Sequence, residues 1–600
     1  MSTQEHDLVS VKILVNSSQI KEVYDVNEVR ITKEANRIST AKIRILDGSS
    51  SSEDFPISDG SEFVPGAEIE IQAGFGLTTD SVFKGIITGQ SLQYNTHSGS
   101  VLTVECKDKA IKMTIGQNNG VFTDSTDSDV MEKLASNHGL SAKITSTSNT
   151  YPQIVQYFST DWDFLLSRAE ANGMIVIASD NELTVDTPKS DGSTVSDLTY
   201  GLNIFAFDTK MDARTQLGAV QATAWDYSQQ ALVNASADDP SVPDQGNISG
   251  STLSSVASPS TFELFSTVHL EQSDLQSWAN ARLLKSRLAK IQGTLKVNGG
   301  SDYQPNVLVK LSGLGKRFNG TAYVSGVTHD IRNGNWYSHL NIGLSDKWFA
   351  REVDISARPA SSLLPGIRGL QNGTVKQIYE DPKGETRIQV EVPIFKNSGE
   401  SLVWARWVQP YATSNAGFFF MPEVEDEVVL GFLNDDPRFP VILGSLYSSQ
   451  KTPPETPEEK NFKKAIVTNG QLKITFDDEK KIMTLETPGG NSITMNDEEA
   501  SIAIKDSNGN EIEMKEQGIS LNSPSSIKLT AEEEVTISGA AGVTISSEAT
   551  VSVSADASLS LSGPEISIEA EAELSVSGGA AASITAEGEM SLTAAMIMIN

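Results

Sequence analysis

The residues able to carry chemistry are few and scattered. Six histidines (His6, His97, His138, His269, His329 and His339) include no pair at the spacing that puts two metal ligands on one helix face. His329-Asp330 could form a metal or base site, and reads more simply as a strand-end pair. Asp161 and Asp163 could be paired catalytic carboxylates. They fall in the first turn of an expected helix, where capping and dipole complementation explain them. Asp506-Ser507-Asn508-Gly509-Asn510-Glu511 superficially resembles a calcium loop, but Glu511 stands where such a loop needs glycine, so the segment reads as a hairpin turn. Trp404 and Trp407 could stack nucleic acid bases, yet only Arg406 interleaves with them, and a barrel core or subunit interface fits better. There is no phosphate-binding loop and no nucleophile elbow. The sequence therefore offers no catalytic residue, no cofactor site and no metal site.

Composition narrows the classes further. The chain has 600 residues and a formal charge of −32, so several domains are expected and the surface repels phosphates and anionic lipid headgroups. Nucleic acid is not an expected partner. The single cysteine, Cys106, excludes an intrachain disulfide and lies in an alternating, strand-like stretch, so it reads as a buried structural thiol. The first residues, Met1 to Asp7, have neither a basic region nor an apolar stretch, and no run reaches the roughly 18 apolar residues of a membrane helix. Synthesis in the cytoplasm without a signal peptide is the expectation, with export or release as part of a larger particle.

The elements that dominate the chain lie at its C-terminal end. Apolar residues recur there in i, i+2 pairs: Ile519/Leu521, Ile527/Leu529, Val535/Ile537, Val543/Ile545, Val551/Val553 and Leu559/Leu561, each pair eight residues after the last. One step of seven leads to Ile566/Ile568 beside Gly563-Pro564, and eight returns through Leu574/Val576, Ala582/Ile584 and Met590/Leu592. Looser pairs run upstream from Ile474/Phe476 to Ile512/Met514. Such a pair puts two side chains on one face of a strand, with Ser, Thr, Glu and Ala on the other. Two aliphatics per eight residues cannot offset the ordering of those residues in one chain. No Phe, Tyr or Trp follows Phe476, so the core is narrow. Three chains wound about one axis satisfy both limits, and about fifteen layers at about 4.7 Å make a rod roughly 70 Å long. After Lys528 no Lys or Arg occurs, and Glu532-Glu533-Glu534 reads as a solvated turn. The apolar end, Met596, Ile597, Met598, Ile599 and Asn600, reads as a blunt tip that takes a cap.

Residues 448–465 are Pro-rich and charged and read as a linker. Before them, Gly373-Thr374-Val375, the turn Asp381-Pro382-Lys383-Gly384, alternating Ile388/Val390/Val392, Trp404 to Val408 and Phe418 to Tyr447 predict a small five-stranded barrel of the oligonucleotide/oligosaccharide-binding (OB) type. Residues 1–370 are strand-rich, with strands over 42–46, 68–72 and 82–88. Helices are expected near 127–137, from Thr160-Asp161-Trp162-Asp163 to Gly173, and from a capping box at Ser273-Asp274-Leu275-Gln276 to about Ile291. Residues 232–262 read as a long exposed loop.

Several of these segments together resemble one family. Pro422-Glu423-Val424-Glu425-Asp426-Glu427-Val428, Gly431-Phe432, Asp436-Pro437-Arg438, Pro440-Val441 and Gly444-Ser445-Leu446-Tyr447 are similar to the barrel signature of the valine-glycine repeat protein G (VgrG) spikes of contractile injection systems. Ser159 to Arg168 resembles a motif of that family's hub, and Pro65-Gly66 with Phe83-Lys84-Gly85 resembles its first barrel. Glu425 stands where the family commonly has a turn glycine.

The resemblance implies a mainly β homotrimer with an α+β insertion. Its parts would be hub barrel 1 (1–115), an α/β insertion (116–200), hub barrel 2 (201–365), an OB-fold barrel (370–450), a linker (451–465) and an intertwined triple-stranded β-helix needle (466–600). The hub's two tube-like barrels per chain would match a hexameric inner tube protein. Baseplate proteins, a PAAR-type tip protein, effector cargo and a transiently contacted target membrane are the implied partners. No lysozyme-like domain sits between barrel and needle, so the resemblance argues against catalysis. A trimeric tail fibre or adhesin is the alternative, although it calls for an aromatic-rich receptor domain. A β-helical polysaccharide lyase fits worse, because its coils exceed 20 residues.

Overall fold

The computed structural model describes residues 8–97, 99–226, 228–267, 270–351, 358–398 and 401–599. It divides into two units, Met1–Leu446 and Tyr447–Asn600. Secondary structure is mainly β, with four α-helices among the described residues, none long and apolar enough to cross a membrane.

In the first unit, the strands expected in two hub barrels lie in one continuous 13-stranded sheet. The joint is the long strand Gly320–Arg332. Its first residues pair with Val307–Ser312 and its later ones with Val26–Glu34, either side of a register shift between Val324 and Gly326. A Cβ at Gly326 would stand 2.7 Å from Glu34 Cγ, so only glycine lets the two halves approach. The expected strands appear as Thr40–Leu46, Glu68–Phe75 and Asp80–Asn95. Their alternation fills a core around Ile31, Ile43, Ile71, Phe83 and Val104.

Cys106 sits in that core, 1% exposed, and burial, with the nearby Glu105 charge, pushes its thiol up to about 12. Folded protein is accordingly expected to resist a maleimide at mildly alkaline pH and to react in full only in denaturant. Stoichiometric labelling of the folded chain would show that this strand opens.

Helices α1 (Asp127–Asn137) and α2 (Asp161–Ala171) pack on the three-stranded sheet of Ser141–Ile144, Ile175–Ser179 and Glu182–Asp186. Thr126 and Asp129 close a capping box on α1, and the Thr160 hydroxyl accepts the Asp163 N–H at 3.0 Å to cap α2. Gly173, at φ 70°, follows the C-cap Asn172, as its place in the sequence predicts.

Two expectations fail. Residues 232–262 are not a bare loop: they hold most of the strand Ala231–Ser236, helix α3 (Gly250–Ala257) and the start of the strand Thr261–Ser266. Helix α3 buries Leu253 as its one large side chain, so its hydrophobic signal is faint. Tertiary contact orders it instead, with Gly250 set so close that a Cβ would meet Arg287 Cδ at 2.8 Å. Helix α4 (Gln272–Leu288) starts after Glu271, without the Ser273–Gln276 box, and stops before Ile291, which begins a strand. The side chains that could cap it are used elsewhere. Gln276 donates to Ser236 O at 2.8 Å, and Asp274 accepts the Tyr151 hydroxyl at 2.7 Å.

The OB-type barrel closes as expected from five strands, Gln371–Gln377, Ile388–Glu391, Leu402–Trp407, Pro440–Ser445 and Glu427–Phe432. Val375, Val390, Ala405, Val428 and Leu430 fill it. The turn at Asp381 is fixed by the Gly384 N–H on Asp381 O at 2.9 Å and by a fork from Arg387 to the Asp381 carboxylate. That guanidinium holds the carboxyl far below its ordinary range.

Glu425 adopts φ 70° at the turn where a glycine is common. Its N–H still reaches Val375 O at 2.8 Å, and its exposed carboxylate meets Lys376 at 2.9 Å. The left-handed conformation costs about 1 kcal/mol, more than an exposed ion pair returns. Barrel stability in thermal unfolding is therefore expected to rank Glu425→Gly above wild type and Glu425→Val below it, with steps of about 0.5–1 kcal/mol.

Candidate functional site

The second unit carries the apolar stripe, and its upper part is a seven-stranded antiparallel meander from Lys463–Val467 to Gly518–Asn522. The register sets the predicted pairs opposite one another: Ile474 faces Leu485, Met483 faces Met495, Ile493 faces Ile504, Ile502 faces Met514, and Ile512 faces Leu521. All of them therefore share one face of the sheet. The turns between strands are the polar segments expected. At the calcium-like loop, Asp506 accepts the Asn508 and Asn510 N–H groups at 2.9 Å, and Gly509 has φ 87°. It is a hairpin turn. Lys505 and Glu511 pair across it at 2.7 Å.

Beyond Asn522 the described residues form no paired strand. The backbone nevertheless bends at 524–525, 532–533, 540–541, 548–549 and 556–557, then at 564, 571–572, 579–580, 587–588 and 595. The bends keep the eight-residue step of the sequence and shorten it once, at the same seven-residue slip. Gly539 and Gly578 take equivalent places in this repeat. A Cβ on either would stand 2.2 or 2.3 Å from a backbone oxygen three residues on, so these two turns are tighter than those that hold Ala or Ser at the same place.

In a single chain this stripe is uncovered. Ile519, Leu521, Ile527, Leu529, Val535, Ile537, Val543, Ile545, Val551, Val553, Leu559, Leu561, Ile566, Ile568, Leu574, Val576, Ile584 and Leu592 range from 52% exposed at Val543 to 77% at Val576. Such a contiguous apolar surface marks an interface. Met596, Ile597, Met598 and Ile599 continue it and are also exposed; Asn600 lies outside the described residues.

The candidate chemical groups of the first unit have structural partners. Asp161 is buried at the start of α2, where it accepts His138 Nε2 at 2.7 Å and the Asn118 and Gln156 amides at 2.9 and 2.8 Å. Against the upward push of burial, these hydrogen bonds hold its carboxyl below the ordinary range. Asp163 contributes its N–H to the helix cap, in the first turn where the sequence places it. His329 is not at a strand end. It lies within Gly320–Arg332, fully buried, with Nδ1 2.9 Å from the Ser338 hydroxyl and the Trp336 ring beside it. Burial takes its imidazole down to about 3. His6 and His269 lie outside the described residues.

The tryptophan pair divides. Ala405, between them, is the core residue. Trp407 packs against the core, donates to Thr386 O at 3.0 Å and meets Phe419 edge-on, whereas Trp404 lies under the Arg387 guanidinium. Sequence reading missed an exposed aromatic set around the short hairpin of Ala412–Thr413 and Ala416–Gly417. Tyr411, Phe418, Phe419 and Phe420 are all more than half exposed. The run Phe418-Phe419-Phe420 was the available signal, and it reads equally well as a buried strand.

Residues 5–333 match the Alg8 N-terminal domain family. Residues 371–447 match the type VI secretion system/phage-baseplate injector OB domain, and 481–574 match the phage baseplate V C-terminal trimerisation domain. Among curated proteins, the chain is similar to the actin cross-linking toxin VgrG1 of Vibrio cholerae, 33% identical over 110 residues, covering 17% of this chain and 10% of the toxin. It is also similar to the type VI secretion system spike protein VgrG3 of V. cholerae, 30% identical over 134 residues, covering 20% of this chain and 13% of that protein. With VgrG1a of Pseudomonas aeruginosa it shares 31% identity over 118 residues, 18% of each chain. The matched regions thus span less than a fifth of these relatives. Similar solved structures include a tail protein of Neisseria meningitidis, with TM-score 0.43 and 16% identity, covering 57% of this chain and 98% of that one. An E. coli component of the type VI secretion system has TM-score 0.36 and 15% identity, covering 72% and 100%.

Proposed function

The chain belongs to the Alg8 N-terminal domain family, with a VgrG-like spike's barrel and trimerisation segments, and from this premise we propose that it is the central spike of a contractile injection machine. The carrying observation is the uncovered stripe. It keeps one face through the strands of 473–522 and continues in register to the end of the described residues, where nothing in a single chain buries it. Three copies about one axis would turn it into the dry core of a triple-stranded β-helix, with the Ser, Thr and Glu positions outside. Continuous strand pairing among the three chains makes such a rod stiff along its axis, which suits puncture of a target membrane.

In this reading, residues 1–365 form the hub, two tube-like barrels with an α/β insertion, that seats a hexameric inner tube protein and baseplate proteins. The OB barrel at 370–450 and the linker at 451–465 lead to the needle at 466–600, whose end, Met596 to Asn600, receives a PAAR-type tip protein or effector cargo. The exposed aromatics Tyr411 and Phe418 to Phe420 are a surface for the neighbouring copy. The work is mechanical and the chain supplies no catalytic step. It acts within an assembled particle after synthesis in the cytoplasm.

The solution mass of full-length protein beside a version truncated before Ile474 tests this reading. A trimer that survives detergent only with the needle present is the expected result. A monomeric full-length chain would overturn it in favour of a single-chain solenoid.

A further inference from the structure

The Lys33 side chain is fully buried, and a lysine amine is rarely placed so. Its Nζ donates to Asp180 Oδ2 at 2.9 Å and to Gln304 Oε1 at 3.2 Å. Three separate parts of the first unit meet here. Lys33 comes from the strand Val26–Glu34, Asp180 from the turn joining Ile175–Ser179 to Glu182–Asp186, and Gln304 from the loop before Val307–Ser312.

The Asp180 carboxyl is held at both oxygens. Oδ1 accepts the backbone N–H of Lys84 at 2.9 Å, and Oδ2 accepts the Ser179 hydroxyl at 2.9 Å. The residue itself has φ 60°, a left-handed conformation. Behind it, the buried Asp108 carboxyl takes the Asn181 N–H at 2.7 Å. His329 lies on the same face of the sheet as Lys33, because the register sets His329 opposite Ile31 and Val327 opposite Lys33. Burial lowers the Lys33 amine despite the attraction of Asp180 and Asp108, and burial raises the Asp108 carboxyl. Burial thus weighs against the charged form of the amine, at a pair that water does not reach on the lysine side.

We propose that Lys33 and Asp180 are a self-modification site, at which the two side chains close into an intramolecular isopeptide bond. One proton passes from the ammonium of Lys33 to the carboxylate of Asp180. The freed amine attacks Asp180 Cγ, one covalent bond beyond the oxygen it already touches. Oδ1 carries the charge of the tetrahedral intermediate against the Lys84 N–H. Oδ2 leaves as water, next to the Ser179 hydroxyl, with the carboxyl proton and one further proton from Nζ. An ammonium and a carboxylate become one amide and one water, so atoms and charge balance without any co-reactant. The bond would fasten the first hub strands to the α/β insertion by a covalent link in place of a buried ion pair. It rests on the geometry of this site and holds whether or not the chain is a spike.

The test is the intact mass of the purified full-length chain, followed by tryptic mapping. The expected mass is lower than the sequence mass by one water, with a branched peptide joining the segment of Lys33 to that of Asp180. Lys33→Arg and Asp180→Ala are each expected to restore the full sequence mass. A full sequence mass for the folded wild-type chain, with trypsin cutting normally after Lys33, overturns the proposal. The wild-type measurement decides even if either variant fails to fold.

Discussion

Val551→Asp is expected to abolish the detergent-resistant trimer, while Ser552→Asp, one position away, leaves it intact. Val551 lies on the stripe and Ser552 on the opposite face of the same extended unit. Around a threefold axis one substitution places three carboxylates at a single level of a narrow core. Each buried charge without a partner costs several kcal/mol, and the three repel one another. No Lys or Arg follows Lys528, so this chain offers no cation nearby to pair with them. A carboxylate at Ser552 adds only one more negative group to a surface already rich in glutamate. Light scattering and detergent gels of the two full-length variants read the difference directly. If Val551→Asp remained a detergent-resistant trimer, the stripe would not be the axial core, and the assembly would have to be held elsewhere.

The apolar stripe and the barrel were legible in the sequence because their signals are local and periodic. A pair such as Val543/Ile545 needs only its neighbours eight residues away to be recognised, and the bends of the backbone repeat at that spacing. The barrel was likewise written in alternation at Ile388/Val390/Val392 and in the turn at Asp381, whose hydrogen bonds are all within a few residues. What stayed hidden depends on distant contacts. The strand Gly320–Arg332 pairs with its sequence neighbours Val307–Ser312 and Asn335–Ile342, yet it also carries the distant pairing that merges two sets of strands into one sheet. Helix α3 buries so little of its own that composition marks its segment as a loop. Asp161 looked like a capping residue because the sequence cannot show that His138, Asn118 and Gln156 converge on it. Lys33 stands in an ordinary alternating strand, and nothing near it in the chain announces that its amine is buried against Asp180.

Arg168→Ala is expected to destabilise the first unit by about 3–5 kcal/mol, the range for breaking a buried ion pair from one side. Arg168 reaches from α2 to Asp127 at the start of α1, with Nε at 2.5 Å from Oδ1 and an Nη at 2.9 Å from Oδ2. Asp127 is 1% exposed, so removing the guanidinium leaves a carboxylate that water cannot solvate. Asn172 donates to the same carboxylate at 2.7 Å and keeps one hydrogen bond, but it supplies no charge. The guanidinium also lies over the Tyr151 ring, whose hydroxyl is bound to Asp274 on α4, so its loss loosens a second helix. Adding Asp127→Asn to Arg168→Ala removes the orphaned charge and is expected to recover part of the loss, which a merely additive pair would not do. Denaturant unfolding of the full-length chain, followed by tryptophan fluorescence, is the measurement. All seven tryptophans precede the apolar repeat and lie within Met1–Leu446, so the signal reports the first unit. A loss below about 1 kcal/mol would mean that α1 and α2 are held by their apolar core of Val130, Met131, Leu165 and Leu166, and that the ion pair only sets their register.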